Sequence, residues 1–267
     1  MLRSVNSLDG FKVAAADGHI GKVKDFYFDD EAWVIRDVVV DSGTWLGGRE
    51  VLISPHSIGT PDWSRLILPI ALPKEQVKNS PSIDTHKPIS RQYERSHLGY
   101  YGYPYYWGGA RLWGVQNYPG TQLTGIGAEP DGVYQGYLRA PSDTPAAGDT
   151  HLRSCNAIKG YHVHATDGDI GHVQGFLADD STWSIRYLIL DTSNWWVGHE
   201  VLVSPEWIQD VSWANSTVTV SLNRHAIRYA PAYNGEGLLD RAEELRIYDH
   251  YGRYGYWQCP TSEAAVV

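Results

Sequence analysis

The chain contains the same sequence twice. Residues 2–107 align with residues 152–257 at an offset of 150 without a gap, with about 36 identities in 106 positions. Chance alone would supply roughly six, so the repeat is a duplication, and it constrains the architecture before any other feature. Arg3-Ser4 returns as Arg153-Ser154, Asp17-Gly18 as Asp167-Gly168, Ile20-Gly21 as Ile170-Gly171, Ile35-Arg36 as Ile185-Arg186, and Glu50-Val51-Leu52 as Glu200-Val201-Leu202. A chain of 267 residues has room for one large domain or two smaller ones, and the duplication favours two.

The two copies act as replicate solutions to one folding problem. Positions apolar in both are core candidates: Val13/Val163, Ile20/Ile170, Val23/Val173, Phe26/Phe176, Ile35/Ile185, Val39/Ile189, Val51/Val201, Ile58/Ile208, Leu68/Val218, Ile70/Val220 and Leu72/Leu222. Their spacing is mostly two, the period of strands with one buried face. Val38-Val39-Val40 and Leu188-Ile189-Leu190 are apolar throughout, which predicts cover on both faces. Asp-Gly at 17–18 and 167–168 reads as a tight hairpin turn, Asp29-Asp30 and Asp179-Asp180 as another, and Ser-Pro at 54–55 and 204–205 as a strand end. Several short strands in so few residues predict a small, strongly bent barrel in each copy.

After each barrel the composition changes. Residues 90–95 and 240–245 read as short helices capped by Ser90 and Asp240. Each leads into an aromatic tail, Tyr100 to Trp107 and Tyr251 to Trp257. Residues 108–151, rich in Gly, Pro, Ser and Thr without apolar periodicity, read as an irregular linker. The expected organisation is a barrel over 1–80, its extension over 81–107, the linker over 108–151, a second barrel over 152–231, its extension over 232–257, and a frayed tail over 258–267.

The hydrophobic content of 42% suffices for packed cores. No apolar run is long enough to span a bilayer, and the start of the chain lacks the apolar region of a secretory signal, so a cytoplasmic protein is expected. Net charge is −9, from 22 Lys and Arg against 31 Asp and Glu, which disfavours nucleic acid as a partner. Cys155 and Cys259 cannot build a disulfide framework or a four-thiolate zinc site, and Cys155 reads as a small core residue. The repeated acids Asp17/Asp167, Asp29/Asp179 and Asp41/Asp191 sit beside turn formers, where Asp bonds its own backbone. His162 and His164 share a strand face, with His172 across the hairpin, but the first copy has Lys12, Ala14 and Lys22 there, which marks a solvent-facing surface. No nucleophile elbow, Walker loop or dinucleotide fingerprint is present. The expectation is no enzyme activity, no cofactor, no metal and no catalytic residue.

The aromatics carry more. Trp45, Trp195 and Trp196 lie in loops before the strands that begin at Glu50 and Glu200, and loop Trp residues anchor partners or pack internally. With Glu50 and Glu200 themselves, and with Tyr105 and Trp107 of the first tail, these tryptophans form the candidate partner surface.

The segments Gly10-Phe11-Lys12-Val13, Asp17 to Val23, Trp33 to Val40 and Val51 to Pro55, with their second-copy counterparts, resemble the PRC-barrel domain family. Asp84 to Glu94 is similar to the extension on free-standing bacterial members. The resemblance implies SH3-like barrels that bind other macromolecules. Members include the cytoplasmic part of the photosynthetic reaction-centre H subunit and the C-terminal domain of a ribosome-maturation factor. Together with the duplication, this points to a non-enzymatic tandem binding or assembly module with a protein partner or self-association, its barrels forming a pseudo-twofold pair or engaging the partner bivalently. The alternatives are a peripheral accessory protein of a photosynthetic or other membrane complex, and a ribosome or RNA-processing factor.

Overall fold

The structure, a computed structural model, describes residues 1–84, 87–107, 109, 111–114, 116–120, 150–192, 199–235 and 238–258. The first copy runs β1 (Leu2–Ser4), β2 (Lys12–Ala15), β3 (Gly18–Asp29), β4 (Val34–Asp41), β5 (Glu50–Ile53), β6 (Ile67–Pro69), α1 (Lys74–Lys78), β7 (Ile89–Ser90) and α2 (Arg91–Tyr101). The second runs β8 (Thr150–Ser154), α3 (Cys155–Ile158), β9 (His162–Ala165), β10 (Gly168–Asp179), β11 (Ile185–Asp191), β12 (Glu200–Val203), β13 (Ile208–Ser212), β14 (Thr217–Val220), α4 (Arg224–Arg228) and α5 (Arg241–Tyr251). The fold is mainly β. None of the described helices is long and apolar enough to cross a membrane.

The chain forms two compact units, and they are not the two copies. The larger comprises Ser4–Ile158 and Ala178–Arg186; the smaller comprises Met1–Arg3, Lys159–Leu177 and Tyr187–Val267. Each copy therefore surrenders its first strand. In the larger unit the sheet order is β5-β4-β3-β2-β6, and β8 pairs antiparallel with β3 and with β7. In the smaller unit the order is β12-β11-β10-β9-β14-β13, and β1 pairs with β10 while Leu2 bridges Leu239. The expected boundary at 151/152 is displaced because the strand that opens the second copy completes the sheet of the first.

Within the larger unit, Leu152 of β8 is fully buried in a cluster with Tyr27, Val39, Leu52 and Ile89, against which Ile83 and Tyr93 pack. This cluster covers the second face of β4, which explains why Val38, Val39 and Val40 are all apolar. Arg153 Nε donates to Asp30 Oδ2 at 2.9 Å, and Asn156 N to Asp25 Oδ1 at 3.1 Å, fixing the register of the imported strand. The hairpin tip Ala178–Arg186 joins through two backbone bonds, from Ile35 N to Trp183 O and from Ile185 N to Trp33 O.

The core candidates are buried in both copies except Ile58 and Ile208, which are half-buried. Those two follow the one-turn 3-10 helices Pro55–Ser57 and Pro205–Trp207, where the strand period has already ended. Both Asp-Gly hairpins form, but their aspartates differ from expectation. Asp17 Oδ1 accepts from Lys74 N at 2.8 Å and Asp167 Oδ1 from Arg224 N at 2.7 Å, so each carboxylate satisfies the start of a distant helix and not its own turn. Asp29 and Asp179 do bond their own turns, accepting from the N–H groups two and three residues on. The extension helices are longer than expected, running to Tyr101 and Tyr251 before Gly102 and Gly252 end them in the left-handed conformation.

Candidate functional site

A dense group of charged and aromatic side chains lies in the larger unit, where the extension meets β4. Arg36, from the middle of β4, is almost completely buried. Its Nη2 lies 3.3 Å from Asp29 Oδ2, and its Nη1 donates to Leu112 O at 2.6 Å. Its guanidinium stacks 3.6 Å from the centre of the Tyr106 ring and 4.7 Å from that of Trp113. On helix α2, Arg91 donates to the Tyr106 hydroxyl at 2.8 Å and to Glu94 Oε2 at 3.2 Å, and it stacks on Trp107 at 4.6 Å. Tyr106 thus stacks on the Arg36 guanidinium while its hydroxyl is bonded to both Arg91 and Glu94. These contacts fasten the aromatic tail, Leu112 and Trp113 onto the sheet. Trp113 is buried and donates Nε1–H to Thr182 O at 2.9 Å, so this part of the expected linker is structured. A single tryptophan and a backbone carbonyl hold it, and neither leaves a periodic pattern in sequence.

The smaller unit repeats the fastening in reduced form. Arg241 stacks 3.9 Å from the Trp257 ring centre and pairs with Glu244 at 3.1 Å. Tyr187 replaces Asp37 of the first copy and donates to Glu244 Oε2 at 2.9 Å.

Burial pushes the Glu94 carboxyl up to about 8, although the Arg91 guanidinium and the Tyr106 hydroxyl act in the opposite sense; Asp37 and Asp29 add to the rise. A carboxyl whose pKa is higher folded than unfolded favours the protonated fold. Its contribution is present below its ordinary value of 4.5 and is lost as the pH climbs through about 8. Between pH 5.5 and 8.5 the wild-type chain should therefore lose about 3 kcal/mol relative to Glu94→Gln, measured by denaturant unfolding at each pH. Parallel stability curves for the two proteins would contradict this assignment.

Beside Glu94 lies a void of about 10 Å³, room for a single water-sized group, lined by Arg36, Asp37, Ser54, His97 and Tyr106 among others. Asp37 Oδ1 and His97 Nε2 stand 3.2 Å apart without hydrogen-bond alignment, and Ser54 Oγ makes no hydrogen bond. Serine, histidine and aspartate together have the composition of an acyl-transfer triad. Here the geometry opposes that chemistry: Ser54 and His97 are not hydrogen-bonded, both are buried, and the void admits no substrate.

The residues singled out from sequence are placed as follows. Trp45 is half-buried in the 3-10 turn Gly43–Leu46, with Lys74 Nζ 4.9 Å from its ring centre. Glu50 pairs with Lys24 across the sheet and faces Asp41 in register. Glu200 begins β12 opposite Asp191, and its carboxyl is raised by burial and by that aspartate. Tyr105 and Trp107 pack against each other with ring centres 4.9 Å apart. The structure does not bring Trp45, Glu50, Tyr105 and Trp107 together in one contact group. Trp195 and Trp196 lie outside the described residues. His172 pairs in register with His162, and His164 pairs with Asp169. Among the described residues, no group of three or more potential ligands is placed to hold a metal ion. Cys155 is buried. Sequence reasoning passed over Arg36, Arg91, Glu94 and Tyr106. The signal available was their identity with Arg186, Arg241, Glu244 and Tyr256.

No curated protein matches the chain. Residues 2–64, which carry β1 to β5, match the family model described as the PRC-barrel domain. With its bent sheet, Asp-Gly hairpin and Ser-Pro strand end in place, the first copy carries a PRC-barrel domain.

Proposed function

We propose that the chain is a non-catalytic interaction and assembly module that engages a protein partner through surfaces presented by both copies. The observation that carries this reading is the use of the ionisable groups. The buried acids and bases that could do chemistry instead bind the extension to the sheet, with the Arg–Glu–aromatic fastening present in each copy. The PRC-barrel match supports a role in binding at that coarse level. Two related copies in one chain suit bivalent engagement, in which the second contact forms at high effective concentration. Trp45 of the first copy and Trp195 and Trp196 of the second are the proposed anchors.

The test uses the full tagged chain in native extract, with soluble and detergent-solubilised membrane fractions kept apart. A stoichiometric protein should be retained, and should be lost when Trp45, Trp195 and Trp196 are all changed to Ala. Recovery of the bait alone from both fractions, together with sedimentation as a concentration-independent monomer, would overturn the reading.

A further inference from the structure

The smaller unit contains a cavity of about 490 Å³, within the range of small-molecule sites. Its walls include Leu202 of β12, Pro231 and Tyr233 of the loop after α4, Leu239, and Glu243 and Ile247 of α5. At the offset of 150 these correspond to Leu52, Pro81, Ile83, Ile89, Tyr93 and His97 of the first copy. In the larger unit that region is filled: Ile83 and Tyr93 pack on the buried Leu52, Ile89 and Tyr27. The Tyr93 hydroxyl donates to Pro81 O at 3.0 Å.

The second copy has lost the filling. Glu243 stands at the position of Tyr93, and its carboxylate turns back to accept from Asp240 N at 3.1 Å, closing the capping box of α5. Leu177 stands at the position of Tyr27. The phenol ring of Tyr93 is gone from the wall, and the exchange of Ile83 for Tyr233 places one on a different wall. The charge on the walls favours a neutral occupant. Arg246 is paired with Glu243 at 3.8 Å, and the Tyr233 hydroxyl is held protonated by burial and by Glu200 and Glu243 nearby.

We propose that this cavity binds a neutral monocyclic phenol, its ring on Leu202 and Leu239 and its hydroxyl donating to Pro231 O, as Tyr93 does to Pro81 O in the first copy. The site is independent of the interaction surface proposed above. Shape and acceptor are both supplied by the first copy, where the protein's own phenol occupies the equivalent space.

The probes are p-cresol and 4-methylanisole, which keeps the ring but cannot donate, titrated into the full chain and followed by amide NMR. Saturable shifts at Leu202, Tyr233, Leu239 and Ile247 are expected with p-cresol, and about fivefold to tenfold weaker binding with 4-methylanisole. N-acetyl-L-tyrosinamide separates the sources: tighter binding than p-cresol assigns the site to a tyrosine of a peptide, weaker binding to a free phenol. Glu243→Tyr, which restores the first-copy filling, should abolish the shifts, whereas Glu243→Gln should keep them. If Glu243→Tyr does not fold, Tyr93→Ala tests the same idea from the other copy, since p-cresol should raise its Tm by more than that of the wild type. Absence of saturable shifts in the wild type, undiminished binding in a folded Glu243→Tyr, or equal affinity for 4-methylanisole would overturn the proposal.

Discussion

Arg36→Ala is expected to destabilise the larger unit by about 3–5 kcal/mol, because it leaves Asp29 buried without its cation. It also removes the donor to Leu112 O and the guanidinium plane on which Tyr106 stacks. The loss should be local before it is global. Hydrogen exchange in residues 101–107 and 111–114 should rise more than in β2 or β5, because Tyr106 and Trp113 rest directly on the guanidinium. Arg36→Lys should recover only part of the stability, since an ammonium cannot stack flat on Tyr106 while bonding two oxygens. Arg186→Ala, at the matching position of the second copy, should cost less because Arg186 is only half-buried. Equal losses for the two variants, or a loss below about 1 kcal/mol for Arg36→Ala, would refute this account.

Gly171→Ala and Gly21→Ala should each cost on the order of 3–5 kcal/mol, through overpacking added to backbone strain. A Cβ on Gly171 would sit 2.0 Å from Asp191 O, and one on Gly21 would sit 2.1 Å from Asp41 O. Both neighbours are backbone, so no side-chain rotation relieves the clash. The φ angles, +146° at Gly171 and +158° at Gly21, add strain for any residue with a side chain. Each glycine lies at a register shift where the long strand stops following one neighbour and turns toward the next. Urea unfolding followed through the tryptophans of each variant measures the effect. A variant with wild-type stability would mean that the bend does not depend on that close approach.

The period-two pattern made the strands and nearly the whole core legible, because burial on one face leaves a trace in every second residue. Ile58 and Ile208 escaped it because a proline turn intervenes. The fastening of the extension was legible only as identity between copies, at Arg91/Arg241 and Glu94/Glu244. A buried salt link has no periodicity, and its residues otherwise read as a solvated helix face. Where β1 and β8 lie could not be read at all. Leu2-Arg3-Ser4 and Leu152-Arg153-Ser154 are the same tripeptide, so local sequence fits either sheet equally and only the connectivity of the folded chain distinguishes them. The large cavity was hidden for the opposite reason. Glu243 looks like an ordinary helix-capping residue, and only comparison with Tyr93 in place reveals the ring it fails to supply.

The traded first strands bear on how such a chain could have arisen. One copy alone, folded as it is in this chain, would leave the place between β3 and β7 unfilled and its own first tripeptide strand unpaired. It could satisfy both by giving that strand to another molecule and receiving the same strand back, as a closed, reciprocally swapped homodimer. Joining two genes end to end turns that encounter between molecules into an event within one polypeptide, independent of concentration. It also releases the halves from identity. Once each always meets the same mate, one can keep its interior filled with tyrosine while the other drifts to glutamate and opens a cavity.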